Sequence, residues 1–311
     1  MSQPRLIVTG ADLAQQALDL LADFEVVYAG KTPTEDDMVA LCQRHDPIAI
    51  IVRYGAVSAK VMDAAPSLRV ISKHGSGTDT IDKVAAKARG IEVVAAVGAN
   101  AAAVAEQALA LLLACAKSVV QLDARMHAGH WDKATHKSLE LGGRTVGLVG
   151  LGAIGLRFAK MADALGMRVI GFDPFAKNLP AHVNAVDLDT LWREADAISL
   201  HCPLTPENKG LINAQTLARC KPGVIVVNTA RGGLIDEPAL LAAVQSGQVR
   251  MAGLDSFAVE PMTAPHIFHG QPGFVLSPHI GGVTSDAYVN MGVAAAQNTL
   301  AVLARSEAAT A

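Results

Sequence analysis

Four polar sites in the second half of the chain have the types and the order needed to interconvert a 2-oxo acid and a 2-hydroxy acid. A glycine-rich turn, Gly150-Leu151-Gly152-Ala153-Ile154-Gly155, is followed by Arg231 in N-T-A-R-G-G, Glu260 in L-D-S-F-A-V-E-P and His279 in S-P-H-I-G-G. The glycines point to a dinucleotide, and the guanidinium, carboxylate and imidazole supply what reduction of such an acid requires. Taken singly, each has a plainer reading: a turn cation, an exposed charge and a loop histidine beside Pro278. Their combination points to an enzyme.

The elements around the turn are those a dinucleotide site needs. Thr145 to Val149 is a short β-branched, apolar run of the kind a buried parallel strand shows, and Ile154 to Leu165 has helical spacing. Between them, Gly150 permits a tight turn, Gly152 lets the backbone approach a pyrophosphate, and Gly155 allows close helix–strand packing. The helix start offers free N–H groups and a positive dipole end to the phosphates. A second apolar run, Arg168 to Phe172, ends at Asp173, where an acid accepts hydrogen bonds from the adenosine ribose. A carboxylate there repels a 2′-phosphate, so the cofactor expected is NAD rather than NADP. Asp173-Pro174 simply ending the strand is the alternative.

Ahead of the turn, strands are expected at Arg5–Thr9, Phe24–Tyr28, Ile48–Val52 and Leu68–Ser72, with helices at Ala11–Leu21, Thr34–Arg44 and Ser58–Ala64 between them. This alternation indicates a second parallel α/β layer. Gly75-Ser76-Gly77, after its last clear strand, could present backbone N–H groups to an anion. As an isolated signal it is equally a flexible turn.

A chain of 311 residues divides most naturally into two domains, and a hydrophobic content of 51% suffices for two cores. A formal charge of −3 gives no basic field for nucleic acid. Cys42, Cys115, Cys202 and Cys220 are scattered without a C-x-x-C pair, as buried thiols in a reducing compartment are. The N-terminus runs straight into a strand without a signal-peptide pattern, so a cytoplasmic location is expected. Ala101 to Val120 is apolar but interrupted by Glu106, Gln107 and Lys117, which suits a buried helix rather than a membrane span. His127/His130 and His266/His269 lack companions at ligand spacing, so no metal is expected.

The chain resembles the D-2-hydroxyacid dehydrogenase family, and within it the phosphoglycerate and glycerate (hydroxypyruvate) dehydrogenase branch. The resemblance runs through Ser72-Lys73-His74-Gly75-Ser76-Gly77-Thr78-Asp79, the stretch Asn100 to Lys117 with V-A-E-Q-A-L, and the glycine turn. It continues through His201-Cys202-Pro203-Leu204-Thr205, Lys221-Pro222-Gly223 to Asp236-Glu237, Gly253-Leu254-Asp255, and Ser277 to Gly282. It implies an α/β protein of two Rossmann-like or flavodoxin-like doubly wound parallel-sheet domains with a cleft between them. The expected boundaries are 1–98 plus 283–311 for the substrate-binding domain and 99–282 for the NAD-binding domain, with the last helix, Thr284 to Arg305, folding back on the first.

By that resemblance Arg231 holds the substrate carboxylate and polarises its carbonyl, a task suited to a planar fork. His279 exchanges the proton, and Glu260 orients its ring. Ala153 and Ile154 lie beside the pyrophosphate, Cys202 and Pro203 wall the adenosine, Thr229 makes a backbone contact, and Asp255 meets the nicotinamide side. Gly75, Ser76 and Gly77 hold the substrate carboxylate. Arg53 and Lys73 match basic positions that hold a far phosphate, and Lys133 one that reaches over from a partner subunit. This favours 3-phosphoglycerate, with glycerate and hydroxypyruvate as rivals, while solvated surface cations remain the plain alternative.

The resemblance also implies a homodimer through the 100–140 region. From the charge and the interrupted apolar segment, no membrane or nucleic-acid partner is expected. Because the sequence closes near Ala311, serine feedback through a regulatory extension is not expected. A second class of function stays open, an NAD(H)-sensing binding protein of the same fold with little catalysis. A different oxidoreductase on the same cofactor fold is a third, against which the Gly75–Gly77 loop argues.

Overall fold

Short β-branched runs build two separate parallel sheets. The computed structural model describes residues 3–263 and 265–308, so the outermost ends of the expected first domain, 1–2 and 309–311, lie outside it. The chain divides into Met1–Asn100 with Val283–Ala311, and Ala101–Gly282. The first break falls two residues beyond the expected Gly98, where Ala101 opens a helix.

In the first unit, β1 (Arg5–Val8), β2 (Glu25–Tyr28), β3 (Ala49–Val52), β4 (Val70–Lys73) and β5 (Glu92–Ala95) pair in the order β2-β1-β3-β4-β5. Every pairing is parallel. β3, Ala-Ile-Ile-Val, is buried throughout because both faces are covered. Ile50 and Val52 join Ile7 and Ile71 on one side; Ala49 and Ile51 join Leu6, Val8 and Val70 on the other. The helix Ser285–Ala308 covers that second side with Ala295, Ala296 and Val302. Burying each Val, Leu or Ile side chain of these two clusters stabilises the fold by roughly 1.5–3 kcal/mol.

Three local readings need correction. The helix expected from Ala11 begins only at Gln15 and ends at Leu20, because Leu13 and Ala14 are drawn into the core before the helical path starts. Gly10 to Leu13 is therefore loop. The helix Lys83–Ala88 and strand β5 were not expected; the first is capped by Asp82, whose carboxylate accepts the Ala85 N–H at 2.8 Å. The helix from Ala101 stops at Lys117, since Ser118 adopts a left-handed φ of 54°. A new helix, Val119–His127, then departs at 62°. Among the described residues no single helix is long and apolar enough to cross a membrane.

In the second unit, β6 (Thr145–Val149), β7 (Arg168–Phe172), β8 (Val183–Ala185), β9 (Ala197–Leu200), β10 (Val224–Asn228), β11 (Val249–Leu254) and β12 (Phe274–Leu276) pair in the order β12-β11-β10-β9-β6-β7-β8. The chain moves outward from β6 to β8 and then returns to β9 beside β6. Such a reversal opens a crevice at the carboxyl ends of the strands, where ligands of open α/β sheets bind. The helix Ala101–Lys117 covers one face through Ala105, Ala108, Leu111, Leu112 and Cys115.

Two enclosed imidazoles make this fold acid-sensitive. Burial pushes His201 down to about 4, and burial followed by the Arg53 charge pushes His74 down to about 4. Unfolding returns both rings to an ordinary histidine value near 6.5, so stability is complete above that pH and falls as pH drops toward 4, by up to about 3 kcal/mol per ring. Thermal midpoints measured from pH 7 to 4 should decline across this window, and His201→Gln should flatten the slope; an unchanged slope would contradict it.

Candidate active site

The glycine turn leaves the end of β6 and runs against the chain that leaves β9. Gly150 has φ 98°, and a Cβ on it would stand 2.6 Å from the Cys202 nitrogen. Only glycine tolerates both the dihedral and the approach. A Cβ at Gly155 would collide with the Gly150 carbonyl, which enforces the tight strand–helix packing. Gly152 has open space where its side chain would be and stands at the N-cap of Ala153–Ala164 with no side-chain cap. A helix start with uncapped N–H groups and an open approach suits a pyrophosphate.

Asp173, at the end of β7, is fixed from both sides. One oxygen accepts the Leu151 N–H at 2.8 Å and the other the Phe175 N–H at 2.8 Å. The carboxylate is thus tied to the glycine turn itself. Pro203, whose carbonyl accepts from Asn208 at 2.7 Å, and the half-buried Cys202 follow β9. Burial raises the Cys202 thiol to about 11. Thr229, just past β10, is buried with its hydroxyl lacking a partner among the described residues.

His279 and Glu260 meet directly. Their Nδ1 and Oε2 atoms are 2.6 Å apart, and Glu260 Oε1 accepts the Phe257 N–H at 2.8 Å. The loop that carries His279 is held by Asp255, the residue after β11. Asp255 is buried, and its oxygens accept the Ser277 hydroxyl at 2.6 Å, the Ile280 N–H at 3.0 Å and the Gly281 N–H at 2.8 Å. Gln107 in turn donates to Ser277 Oγ at 3.0 Å. His279 itself has φ 53°, unfavourable for a residue with a side chain, so the surrounding bonds must hold it. The carboxylate of Asp255, the residue expected to meet the nicotinamide side, is thus bonded to the loop that carries His279. Sequence reasoning missed the parts played by Ser277 and Gln107; both sit in family motifs, S-P-H-I-G-G and V-A-E-Q-A-L, but only coordinates pair them.

Arg231 follows β10 and is partly buried. Its Nη1 donates to the Ala230 carbonyl at 2.7 Å, and Asn228 donates to the Arg231 carbonyl at 2.9 Å. The next residue, Gly232, lies against the Phe257 backbone with no room for a side chain. Since Phe257 also donates to Glu260, the arginine loop and the Glu260–His279 pair share one support.

In the first unit, Arg53, Lys73 and the glycine loop lie side by side at the carboxyl edge of the sheet. Lys73 pairs in register with Val52, the His74 N–H bonds the Val52 carbonyl at 2.9 Å, and Lys73 Nζ donates to the Arg53 carbonyl at 3.1 Å. Gly75 has φ 141°, and Ser76 Oγ donates to Asn100 Oδ1 at 3.3 Å. Arg53 is paired with Asp12. Lys133 is exposed. No group of three metal-ligating side chains occurs among the described residues.

Residues 109–281 match the family "D-isomer specific 2-hydroxyacid dehydrogenase, NAD binding domain". The chain is 40% identical over 303 residues to D-3-phosphoglycerate dehydrogenase of Mycobacterium leprae, covering 96% of this chain and 57% of that one. It is 40% identical over 283 residues to hydroxypyruvate reductase of Thermotoga maritima, covering 90% and 92%. A solved protein of Thermus thermophilus superposes with a TM-score of 0.88 at 37% identity over 96% of each chain. The chain therefore belongs to the D-isomer specific 2-hydroxyacid dehydrogenases, and its second unit is an NAD-binding domain. It spans little more than half the length of the phosphoglycerate dehydrogenase it matches.

The Asp173 geometry carries a prediction. Calorimetric titration should give tighter binding of NADH than of NADPH, and Asp173→Ala should narrow the difference. Equal affinity in the unaltered protein would remove Asp173 from ribose recognition.

Proposed function

We propose that the chain is an NAD-dependent dehydrogenase of small D-2-hydroxy acids, with Arg231, Glu260 and His279 as its catalytic residues. The observation that carries this reading is the 2.6 Å contact between Glu260 and His279 on a loop clamped by Asp255. A free imidazole on a solvated loop has no fixed direction, whereas this ring has one nitrogen committed and the other available.

Bound NAD supplies the hydride acceptor for C2 of the acid, and NADH the donor in reverse. Gly150, Gly152, Ala153, Ile154 and Gly155 hold its pyrophosphate, Asp173 its ribose, and Cys202, Pro203 and Thr229 the neighbouring wall. Asp255 serves this cofactor by fixing the Ser277–Gly281 loop. Arg231 binds the substrate carboxylate and draws electron density toward the C2 oxygen. His279 takes the 2-hydroxyl proton through Nε2 during oxidation and returns it during reduction, while Glu260 keeps the ring aimed and offsets its charge. Gly75, Ser76 and Gly77, in the substrate-binding unit, offer backbone N–H groups to the substrate carboxylate.

The same reading makes the protein a cytoplasmic homodimer without nucleic-acid or membrane partners. Four free cysteines suit a reducing compartment. Exposed Val119, Val120, Met126 and Trp131 in the 100–140 segment suit contact with a second copy, to which Lys133 would contribute.

A panel of 2-oxo acids with NADH, followed by loss of nicotinamide absorbance, should reveal turnover of glyoxylate- and hydroxypyruvate-like acids. His279→Ala should lower kcat by about 10²–10⁴-fold with NADH affinity retained. Tight NADH binding without turnover of any acid would replace this reading with that of an NAD(H) sensor.

A further inference from the structure

The first unit carries a charge pair that the proposed reaction does not use. Arg53 follows β3 at the carboxyl edge of the sheet, at the position that the family resemblance matches to one holding a far phosphate. Its Nη1 donates to the Asp12 carbonyl at 2.5 Å and pairs with the Asp12 carboxylate. Tyr288 donates to the same carboxylate oxygen at 3.1 Å. The guanidinium carbon lies 4.9 Å from the Tyr288 ring centroid and 5.3 Å from that of Tyr54, within cation–π range of both. Its stem crosses Gly10, where a Cβ would stand 3.0 Å from Arg53 Cδ. The backbone is fixed as well, since Thr9 Oγ1 accepts the Arg53 N–H at 2.9 Å and donates to the Tyr54 carbonyl at 2.6 Å.

Arg53 is thus boxed on several sides, with a side chain only 11% exposed, whereas Asp12 is 68% exposed. A guanidinium that clamps a phosphate needs its donor edge turned to the ligand. Here part of that edge is taken by a carboxylate of the same chain. The loop makes this possible: had a helix begun at Ala11, the Asp12 backbone and side chain could not meet Arg53 as they do.

We infer that Asp12 is a specificity residue: by holding Arg53 it turns this site away from acids with a phosphate at carbon 3 and toward those with an uncharged hydroxymethyl group. This rests on the dehydrogenase reading and selects among its substrates. An arriving phosphate must either displace Asp12 from Arg53 or lie beside its negative charge. Lys73, whose Nζ donates to the Arg53 carbonyl, is a further cation at this edge, and the Lys31 charge also acts on Asp12. Against them, the exposed phenols Tyr28 and Tyr54 offer neutral hydrogen-bonding groups fitted to a hydroxyl. Asp12 acts through Arg53 and through charge, without touching the reacting atoms.

The test compares hydroxypyruvate with 3-phosphohydroxypyruvate, using the full chain and NADH. Unaltered protein should favour hydroxypyruvate in kcat/KM. Asp12→Asn and Asp12→Ala should each raise the relative kcat/KM for the phosphorylated acid by about tenfold, the scale of one charge contact near a protein surface. The change should fall in KM for that acid, and adding Arg53→Gln should abolish it. A preference for the phosphorylated acid in the unaltered protein, or a ratio unmoved in both Asp12 variants, would overturn the inference. Calorimetric binding of 3-phosphoglycerate and of glycerate to the NAD-loaded protein gives a readout without turnover. Tighter 3-phosphoglycerate binding in both variants supports the role of Asp12 even if neither oxo acid is reduced, an outcome that would instead refute the dehydrogenase reading; unchanged binding refutes the role of Asp12.

Discussion

The Asp255 carboxylate is the interaction on which the candidate site depends. It is buried, and it offsets the cost of burial by accepting one hydroxyl and two backbone N–H groups from the loop Ser277–Gly281. Those bonds hold His279 in a left-handed backbone conformation it would not adopt unaided. Glu260, itself held by Phe257, then fixes the ring. A chain of ordinary hydrogen bonds thereby gives an imidazole on a partly exposed loop a single direction, as proton transfer to a bound substrate requires.

The parallel sheet supplies the frame for these contacts. Its strands end on one edge, so residues distant in sequence, Gly150 after β6, Asp173 after β7, Cys202 after β9, Thr229 and Arg231 after β10 and Asp255 after β11, leave the sheet there. The reversal between β6 and β9 separates the loops that flank the glycine turn, and the absence of a side chain at Gly152 keeps that opening clear. Packing and binding make the same demand on these glycines: removal of the side chain serves the turn, the helix contact and the approach of a phosphate together.

Much of this was legible in the sequence. Buried parallel strands appear as short apolar runs because both of their faces are covered, which is why β1, β3, β6 and β7 could be placed within a residue or so. β5 was harder: Glu-Val-Val-Ala at a sheet edge is half exposed and lacks the wholly apolar run of β3. The break at Ser118 left no compositional mark, since a left-handed serine is a consequence of packing rather than of propensity. Helical spacing around Ala11–Leu21 was real, but tertiary burial of Leu13 and Ala14 delayed the helix. Within the site, residue types named Arg231, Glu260 and His279, whereas the inward turn of Asp255 and the pairing of Asp12 with Arg53 depend on distances that no spacing rule contains.

The central claim is spatial, namely that an imidazole held by Glu260 and a guanidinium from the loop after β10 act on one acid beside one nicotinamide. A crystal structure of the protein with NAD and D-glycerate tests it most directly. The account predicts His279 Nε2 within hydrogen-bonding distance of the C2 hydroxyl and the Arg231 guanidinium on the carboxylate. An acid bound with its C2 hydroxyl turned away from His279, or a carboxylate held without Arg231, would contradict it.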